Sequence, residues 1–546
     1  MSGSVDRTYW RKKGIAIEPV AEAASVGTAF EWLGENRWSD SPFIDPHLRK
    51  YTEKELGERE WQETVQLAEE CQPVLAGRSL LWPEVEALLH KRGKKVHQTV
   101  LARVLQFLYL QEQMSLKPGV EIAGPAAEWI CHRCCTKGAG LRVTACAMCG
   151  DKCAVCERCL LLGKSRTCIP FFQFIHPGRR VPENGAVSVS LSFSLTPTQQ
   201  AVADHIVRFL TSDHRRLLVW AVTGAGKTEM MVPAISSVLS QGGKVLWTTP
   251  RKDVVHELGP RLQKIFRGIQ VRSLYGGSPD LWLDGPLVIS TAHQTWRLYQ
   301  DFDLVVVDEA DAFPLYGNPS LEAGIERSMK QGAKQIFLTA TPPREWKKLL
   351  RAGILSAVTV PVRYHGYPLP VPKLLREWRL WKKLSEGRPI PHLSSFLRQA
   401  ETKGGQVFLF VPRVQDVKKV LGWLKEQEPD FFSRAAGVFG QDRLREETIR
   451  AFRQERIQVL VTTTILERGV TVPRGHVLVI GADHPVFDRA SLIQIAGRVG
   501  RSGEYQQGVA WFLAGEKTEA QIQAKKETEW LNQLARTTLW KKEDRF

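Results

Sequence analysis

LLVWAVTGAGKT at residues 217–228 and FDLVVVDEAD at 302–311 decide the fold. Each begins as a short apolar, β-branched run, long enough for a strand buried on both faces, and ends in residues suited to chemistry. In the first, Gly224 and Gly226 let the backbone turn so that its N–H groups face phosphate. Lys227 adds charge for the outer phosphates, and Thr228 places a hydroxyl where magnesium would sit. Ala221 stands where such loops usually open on glycine. In the second run, Asp308 is the expected second magnesium anchor, and Glu309 the residue that orients or deprotonates attacking water. A Gly-rich turn alone can be mere connection chemistry. The two strings together, about eighty residues apart, predict a nucleotide-hydrolysing motor.

Working outward, strand-like KVLWTTP (244–250), LVISTAHQ (287–294) and QIFLTAT (335–341) alternate with helical stretches such as DVVHELGPRLQKIF. That alternation predicts βαβ units and a parallel sheet. The Pro-rich passage HGYPLPVPK (365–373) interrupts it. QVFLFVP (406–412), IQVLVTTT (457–464), HVLVIGAD (476–483) and GVAWFLAG (508–515) then begin it again, so two α/β lobes stand in tandem. Residues 1–125 have mixed, mainly helical patterning, clearest in EVEALLHKRG and QTVLARVLQFLYLQEQ, and carry no chemical motif. Trp10, Trp32, Trp38, Trp61 and Trp82 are dispersed there and are read as core or interface residues before base contacts.

At 546 residues the chain is long enough for three or four domains. Its 75 Lys plus Arg against 58 Asp plus Glu give +17, which favours a polyanion, nucleic acid ahead of membrane, as partner. No apolar stretch of signal-peptide length follows the basic N-terminus MSGSVDRTYWRKKG and no later one approaches a membrane span, so a cytoplasmic location is expected. Nine of ten cysteines fall between Cys131 and Cys168, which argues for metal rather than disulfides in a reducing compartment. The tenth, Cys71, reads as an ordinary buried thiol.

In that window CHRC carries Cys131 and Cys134, CAMC carries Cys146 and Cys149, and CAVCERC carries Cys153, Cys156 and Cys159. A C-x-x-C turn lets two thiolates approach one metal, and two such turns make the tetrahedral sulfur set of structural zinc. Iron–sulfur ligation uses four thiolates too, but paired knuckles favour zinc. The residues leave the pairing open. One arrangement nests a second zinc on Cys146, Cys149 and Cys153, with Cys168 a candidate fourth ligand; another closes a single ribbon on Cys131, Cys134, Cys146 and Cys149. Cys135 has no evident role.

The second lobe has no phosphate loop, but TTTILERGVTVP (462–473) and QIAGRVGR (494–501) resemble the second-lobe motifs of superfamily 2 helicases. That resemblance implies two RecA-like lobes with ATP between them. It makes Arg498 and Arg501 the guanidinium groups that neutralise charge on the transferring phosphoryl, and assigns Gly469 to nucleotide binding. LTPTQQA (195–201) resembles the segment in which Gln199 reads adenine, and TTPR (248–251) and STAHQ (290–294) resemble strand-contacting motifs, with Thr249, Arg251 and Thr291 the candidates. Thr339, Ala340 and Thr341 of TATPP would link hydrolysis to lobe movement. Within the superfamily the chain is similar, from about residue 129 onward, to the ComFA family of late competence proteins, through WAVTGAGKTEM, TTPRKDVVHELGPRL, LYGGS, DEADAFP, TATPP and the two second-lobe strings.

The ComFA resemblance implies a zinc-containing, DNA-stimulated ATPase of two tandem RecA-like lobes that translocates on single-stranded DNA during uptake of transforming DNA. It implies one zinc on Cys131, Cys134, Cys156 and Cys159, since CERCLLLGK matches the family's second pair. CAMC and Cys153 depart from the family pattern. A membrane DNA-uptake channel and a small phosphoribosyltransferase-like competence protein are the implied partners, a homo-oligomer is a further expectation, and the inner face of the membrane is an alternative location. The expected layout is 1–125 N-terminal region, 126–170 zinc module, 185–362 ATP-binding lobe, 363–395 linker and 396–546 second lobe. Within the linker, REWRLWKK (376–383) reads as an amphipathic segment before a DNA contact. The rival is a PriA-like replication-restart helicase, which also pairs cysteines with a helicase core.

Overall fold

A computed structural model describes residues 3–14, 55–123, 128–150, 152–176, 188–190, 194–440, 444–466, 472–500, 505 and 508–543. Trp32, Trp38, Gly469 and Arg501 lie outside the described residues. The chain divides into two compact units, 1–191 with 235–336 and 192–234 with 337–546. Among the described residues no helix is long and apolar enough to cross a membrane.

The N-terminal part of the first unit is built by helices whose apolar residues recur at three and four. Glu58–Leu75 buries Trp61, Thr64, Ala68, Cys71 and Leu75, and Gln98–Leu110 buries Leu101, Val104, Leu105 and Leu108, so each presents one stripe. The stripes meet in one core with Leu88 and Phe172, and Trp10 and Trp82 pack against it. Each large side chain taken from water there contributes about 1.5–3 kcal/mol. The floor is a small antiparallel sheet of order β1-β7-β2. β1 (Ser79–Leu81) and β2 (Met114–Pro118) precede the cysteine segment, while β7 (Pro170–Phe174) follows it. Between them, β3 (Val120–Ala123) pairs with β4 (Glu128–Cys131), and β5 (Leu141–Ala145) pairs with β6 (Lys152–Cys156), both antiparallel. The cysteine module is thus an excursion made between strands of one sheet.

A two-residue strand, β8 (Ser188–Val189), pairs with β11 (Phe266–Arg267). The first large sheet comprises β9 (Arg216–Ala221), β10 (Val245–Thr249), β12 (Val271–Leu274), β13 (Leu287–Thr291), β14 (Phe302–Asp308), β15 (Met329–Thr339) and β16 (Ser356–Val360). Its order is β12-β13-β10-β14-β15-β9-β16, with β12·β13, β10·β13, β10·β14 and β9·β16 parallel. β10 and β13 are buried along their whole length, as strands covered on both faces must be. The second sheet, wholly in the second unit, has β17 (Lys373–Arg376), β18 (Gln406–Phe410), β19 (Ala435–Val438), β20 (Val459–Thr462), β21 (Gly475–Ile480) and β22 (Ala510–Ala514). Its order is β17-β22-β21-β18-β20-β19, all parallel. Two cores cover its faces, one centred on Phe396, Trp423 and Leu478, the other on Phe408, Phe452 and Ile495. β17 lies inside the 363–395 stretch read as linker, where LLR follows the proline run and finds the free edge of β22.

Candidate active site and metal centres

Parallel strands deliver functional residues at their carboxyl ends, and here β9 runs straight into the phosphate loop. Gly224 and Gly226 have φ of 81° and 80°, a region in which only glycine is free of strain. A Cβ on Gly226 would come within 2.3 Å of Gln199 Nε2. Gln199 belongs to a capping box: Thr196 N donates to its Oε1 at 2.9 Å, and Gln199 N donates to Thr196 Oγ1 at 3.3 Å. Its Nε2 donates to Ala225 O at 2.9 Å. The residue expected to read adenine therefore spends its amide inside the chain, bracing the loop. Lys227 and Thr228 open the helix Lys227–Ser240 and are both partly exposed.

In the first unit β14 ends on Asp308, whose Oδ1 accepts from Glu309 N at 2.8 Å. Glu309 is in the left-handed region, φ 50°, a conformation that costs a non-glycine residue roughly 1 kcal/mol or more and recurs where a side chain must be aimed. Arg251, the arginine of TTPR, stands 3.7 Å from Glu309 Oε2. The other expected strand contacts differ in placement. Thr249 and Thr291, ending β10 and β13, are buried, whereas Arg251 is partly exposed.

The second unit joins the phosphate loop to the motifs of the second lobe. Thr223 Oγ1 donates to Gly497 O at 3.4 Å, and a Cβ on Gly497 would lie 2.2 Å from that hydroxyl, so only glycine admits the approach. Thr341 N donates to Thr339 Oγ1 at 2.9 Å, and Gln494 Nε2 donates to Thr341 Oγ1 at 3.4 Å. TATPP and QIAGRVGR thereby share a hydrogen bond. Arg498 is 2% exposed, with its guanidinium 5.6 Å from the Phe408 ring centre. Sequence reading passed over Arg363, which is 2% exposed and gives Nη1 to Val499 O and Gly500 O at 2.8 and 2.6 Å, and Nη2 to Gly497 O at 3.2 Å.

The cysteines sort into two groups of four, each with its sulfurs within 4.8 Å of one another: Cys131, Cys134, Cys156 and Cys159, and Cys146, Cys149, Cys153 and Cys168. The outer set is the one the family resemblance implied, the inner set is the nested one, and the single ribbon on Cys131, Cys134, Cys146 and Cys149 does not form. Within the outer set Cys131 and Cys159 are 3.8 Å apart and Cys134 and Cys156 3.5 Å, all buried. Cys149 and Cys168 of the inner set are partly exposed. The N–H groups of Cys149 and Met148 point at Cys146 and hold its pKa down to about 6, which favours the thiolate that metals bind. Both donor sets suit zinc; Cys135 is exposed and in neither.

The outer knuckle is seated on the lobe below it by buried charge. Glu84 Oε1 accepts from Arg133 Nη2 at 2.5 Å and from Arg297 Nε at 2.7 Å. Arg297 Nη1 continues to Gln294 Oε1 of STAHQ at 2.6 Å. Arg327 donates to the carbonyls of His132 and Arg133 at 2.8 and 2.5 Å, and Thr136 meets Ser320 at 3.1 Å. The Cys131–Cys134 turn and STAHQ are therefore two ends of one polar chain. By contrast, REWRLWKK is held by its own lobe: Glu377 accepts from Lys383 and His392 at 2.5 and 2.8 Å, Trp381 packs on the core, and Trp378 is exposed.

Residues 64–173 match the Competence protein ComFA N-terminal domain, 196–349 the DEAD/DEAH box helicase family and 390–503 the Helicase conserved C-terminal domain. The competence protein ComFA of Bacillus subtilis is 37% identical over 382 residues, covering 70% of this chain and 81% of that protein. Its counterpart from Streptococcus pneumoniae is 36% identical, covering 70% and 86%. The transcription-repair-coupling factor of Staphylococcus haemolyticus is 27% identical over 68% of this chain but only 32% of its own length. By these matches the chain belongs to the ComFA family of competence proteins and is an ATP-hydrolysing helicase of superfamily 2.

Proposed function

We propose that the protein is a DNA-stimulated translocase on single-stranded DNA that draws transforming DNA into the cytoplasm. The observation that carries the reading is the direct contact of the phosphate loop with QIAGRVGR, through Thr223 and Gly497, together with the Thr341–Gln494 hydrogen bond. A nucleotide bound at Lys227 and Thr228 would then change how the lobes meet, and a strand held across them would be moved. Lys227 would hold phosphate, Thr228 and Asp308 magnesium, and Glu309 would act on water, with Arg498 and Arg501 as the charge-neutralising arginines. ATP-dependent displacement of streptavidin from end-biotinylated single-stranded DNA tests this. Displacement that Glu309→Gln abolishes is expected; ATPase stimulated by DNA with no displacement from either end would overturn translocation.

Cys131, Cys134, Cys156 and Cys159 would hold one zinc and Cys146, Cys149, Cys153 and Cys168 a second, each a closed four-sulfur site whose role is to fix the fold. Family kinship adds the membrane uptake channel, a phosphoribosyltransferase-like competence protein and self-association as expected partners. It also adds the inner face of the membrane as the place of action.

A further inference from the structure

β9 and β16 lie side by side, with Val360 opposite Ala221, so the residues leaving both strands emerge together. From β9 comes the phosphate loop, and from β16 comes Arg363. Tyr364 N donates to Gly224 O at 3.0 Å, and the methylenes of Arg363 lie 3.7–3.8 Å from where a Cβ on Gly224 would stand. Its guanidinium turns the other way and grips three carbonyls, those of Gly497, Val499 and Gly500. These follow the helix Arg489–Ala496, whose carboxyl end is electronegative and suits a cation. They also flank Arg498 and immediately precede Arg501. His365 Nε2 adds a contact to Gly500 O at 3.2 Å.

We propose that Arg363 is a positioning residue for hydrolysis, docking the arginine-bearing loop of the second lobe onto the phosphate loop. Burial explains why the contact is specific. A guanidinium at 2% exposure needs hydrogen-bond partners, and the loop carbonyls engage both of its terminal nitrogens in one arrangement of the backbone. A lysine cannot replace it, because a single ammonium does not reproduce a planar fork spread over three acceptors. Loss of the grip would let the loop drift, and misplacement by about 1 Å at a reacting centre costs on the order of a hundredfold in rate.

The inference rests on ATP hydrolysis and not on which strand is moved, so it is read in basal ATPase without DNA. Arg363→Ala and Arg363→Lys should both lower kcat by about 10- to 100-fold. The Kd of a fluorescent ADP analogue should stay within about threefold, since nucleotide affinity resides in the phosphate loop. Millimolar guanidinium should restore part of kcat in Arg363→Ala and none in Lys227→Ala. Arg363→Lys nearly conserves volume, so it keeps the test informative if the alanine variant misfolds. Near-parental kcat in Arg363→Lys would overturn the proposal. So would loss of nucleotide affinity in step with kcat and without guanidinium rescue, which would mark Arg363 as packing for the phosphate loop.

Discussion

The proposed roles of Lys227, holding phosphate, and Glu309, acting on water, predict opposite failures. Lys227→Ala should weaken ATP binding and hydrolysis together. Glu309→Gln should bind ATP but turn over about 10²- to 10⁴-fold more slowly, the usual contribution of a positioned base; rapid steady-state turnover by purified Glu309→Gln would remove it from that role. These residues were legible because each sits at a fixed offset from a strand end in its own motif. Gln199 was legible as a motif member and as the partner of Thr196 in a local capping box, yet its hydrogen bond to Ala225 is a matter of tertiary packing. Arg363 escaped for the same reason: its partners are main-chain carbonyls up to 137 residues away, and carbonyls leave no residue-type signature.

At the scale of elements, the alternation of strands and helices announced both parallel sheets, because strands buried on two faces read as unbroken apolar runs. It did not announce β17, whose four exposed or half-exposed residues beside prolines look like linker until β22 offers an edge. Nor did it show that β7 returns from beyond the cysteine module to lie between β1 and β2, a pairing set by non-local hydrogen bonds. The C-x-x-C knuckles were plain, but which knuckle faces which depends on the hairpin of β5 and β6 bringing Cys146 and Cys153 to one end. Two zinc ions per chain are expected, and Cys149→Ser with Cys168→Ser should leave one, measured by elemental analysis. Two ions retained in that double variant would dissolve the inner site. Glu84 gives a prediction independent of metal. Glu84→Gln leaves Arg133 and Arg297 buried without their shared carboxylate, and removing one partner of a buried ion pair costs about 3–5 kcal/mol. A thermal midpoint unchanged from the parent would show that the knuckle is seated by other contacts.

For the whole molecule the question is what the proposed movement along a single strand would do to a duplex. A charge of +17 over 546 residues suits a phosphate track, and contacts to phosphates release counterions, so affinity for single-stranded DNA should fall by about 0.7 log units per log unit of salt for each phosphate neutralised. Sequence preference should be slight, because phosphates position a protein without specifying bases. Separation of strands asks for something further, a wedge that holds the fork open. Among the described residues the second sheet is parallel throughout, with no antiparallel strand pair of its own. Fluorescence assays on matched substrates should therefore show ATPase stimulated by single strands, steep salt dependence, and little opening of forked DNA at ATP concentrations that saturate hydrolysis. Efficient ATP-dependent opening of the fork would turn the reading toward a replication-restart helicase. ATPase indifferent to every nucleic acid would count against both, since neither engine runs without its track.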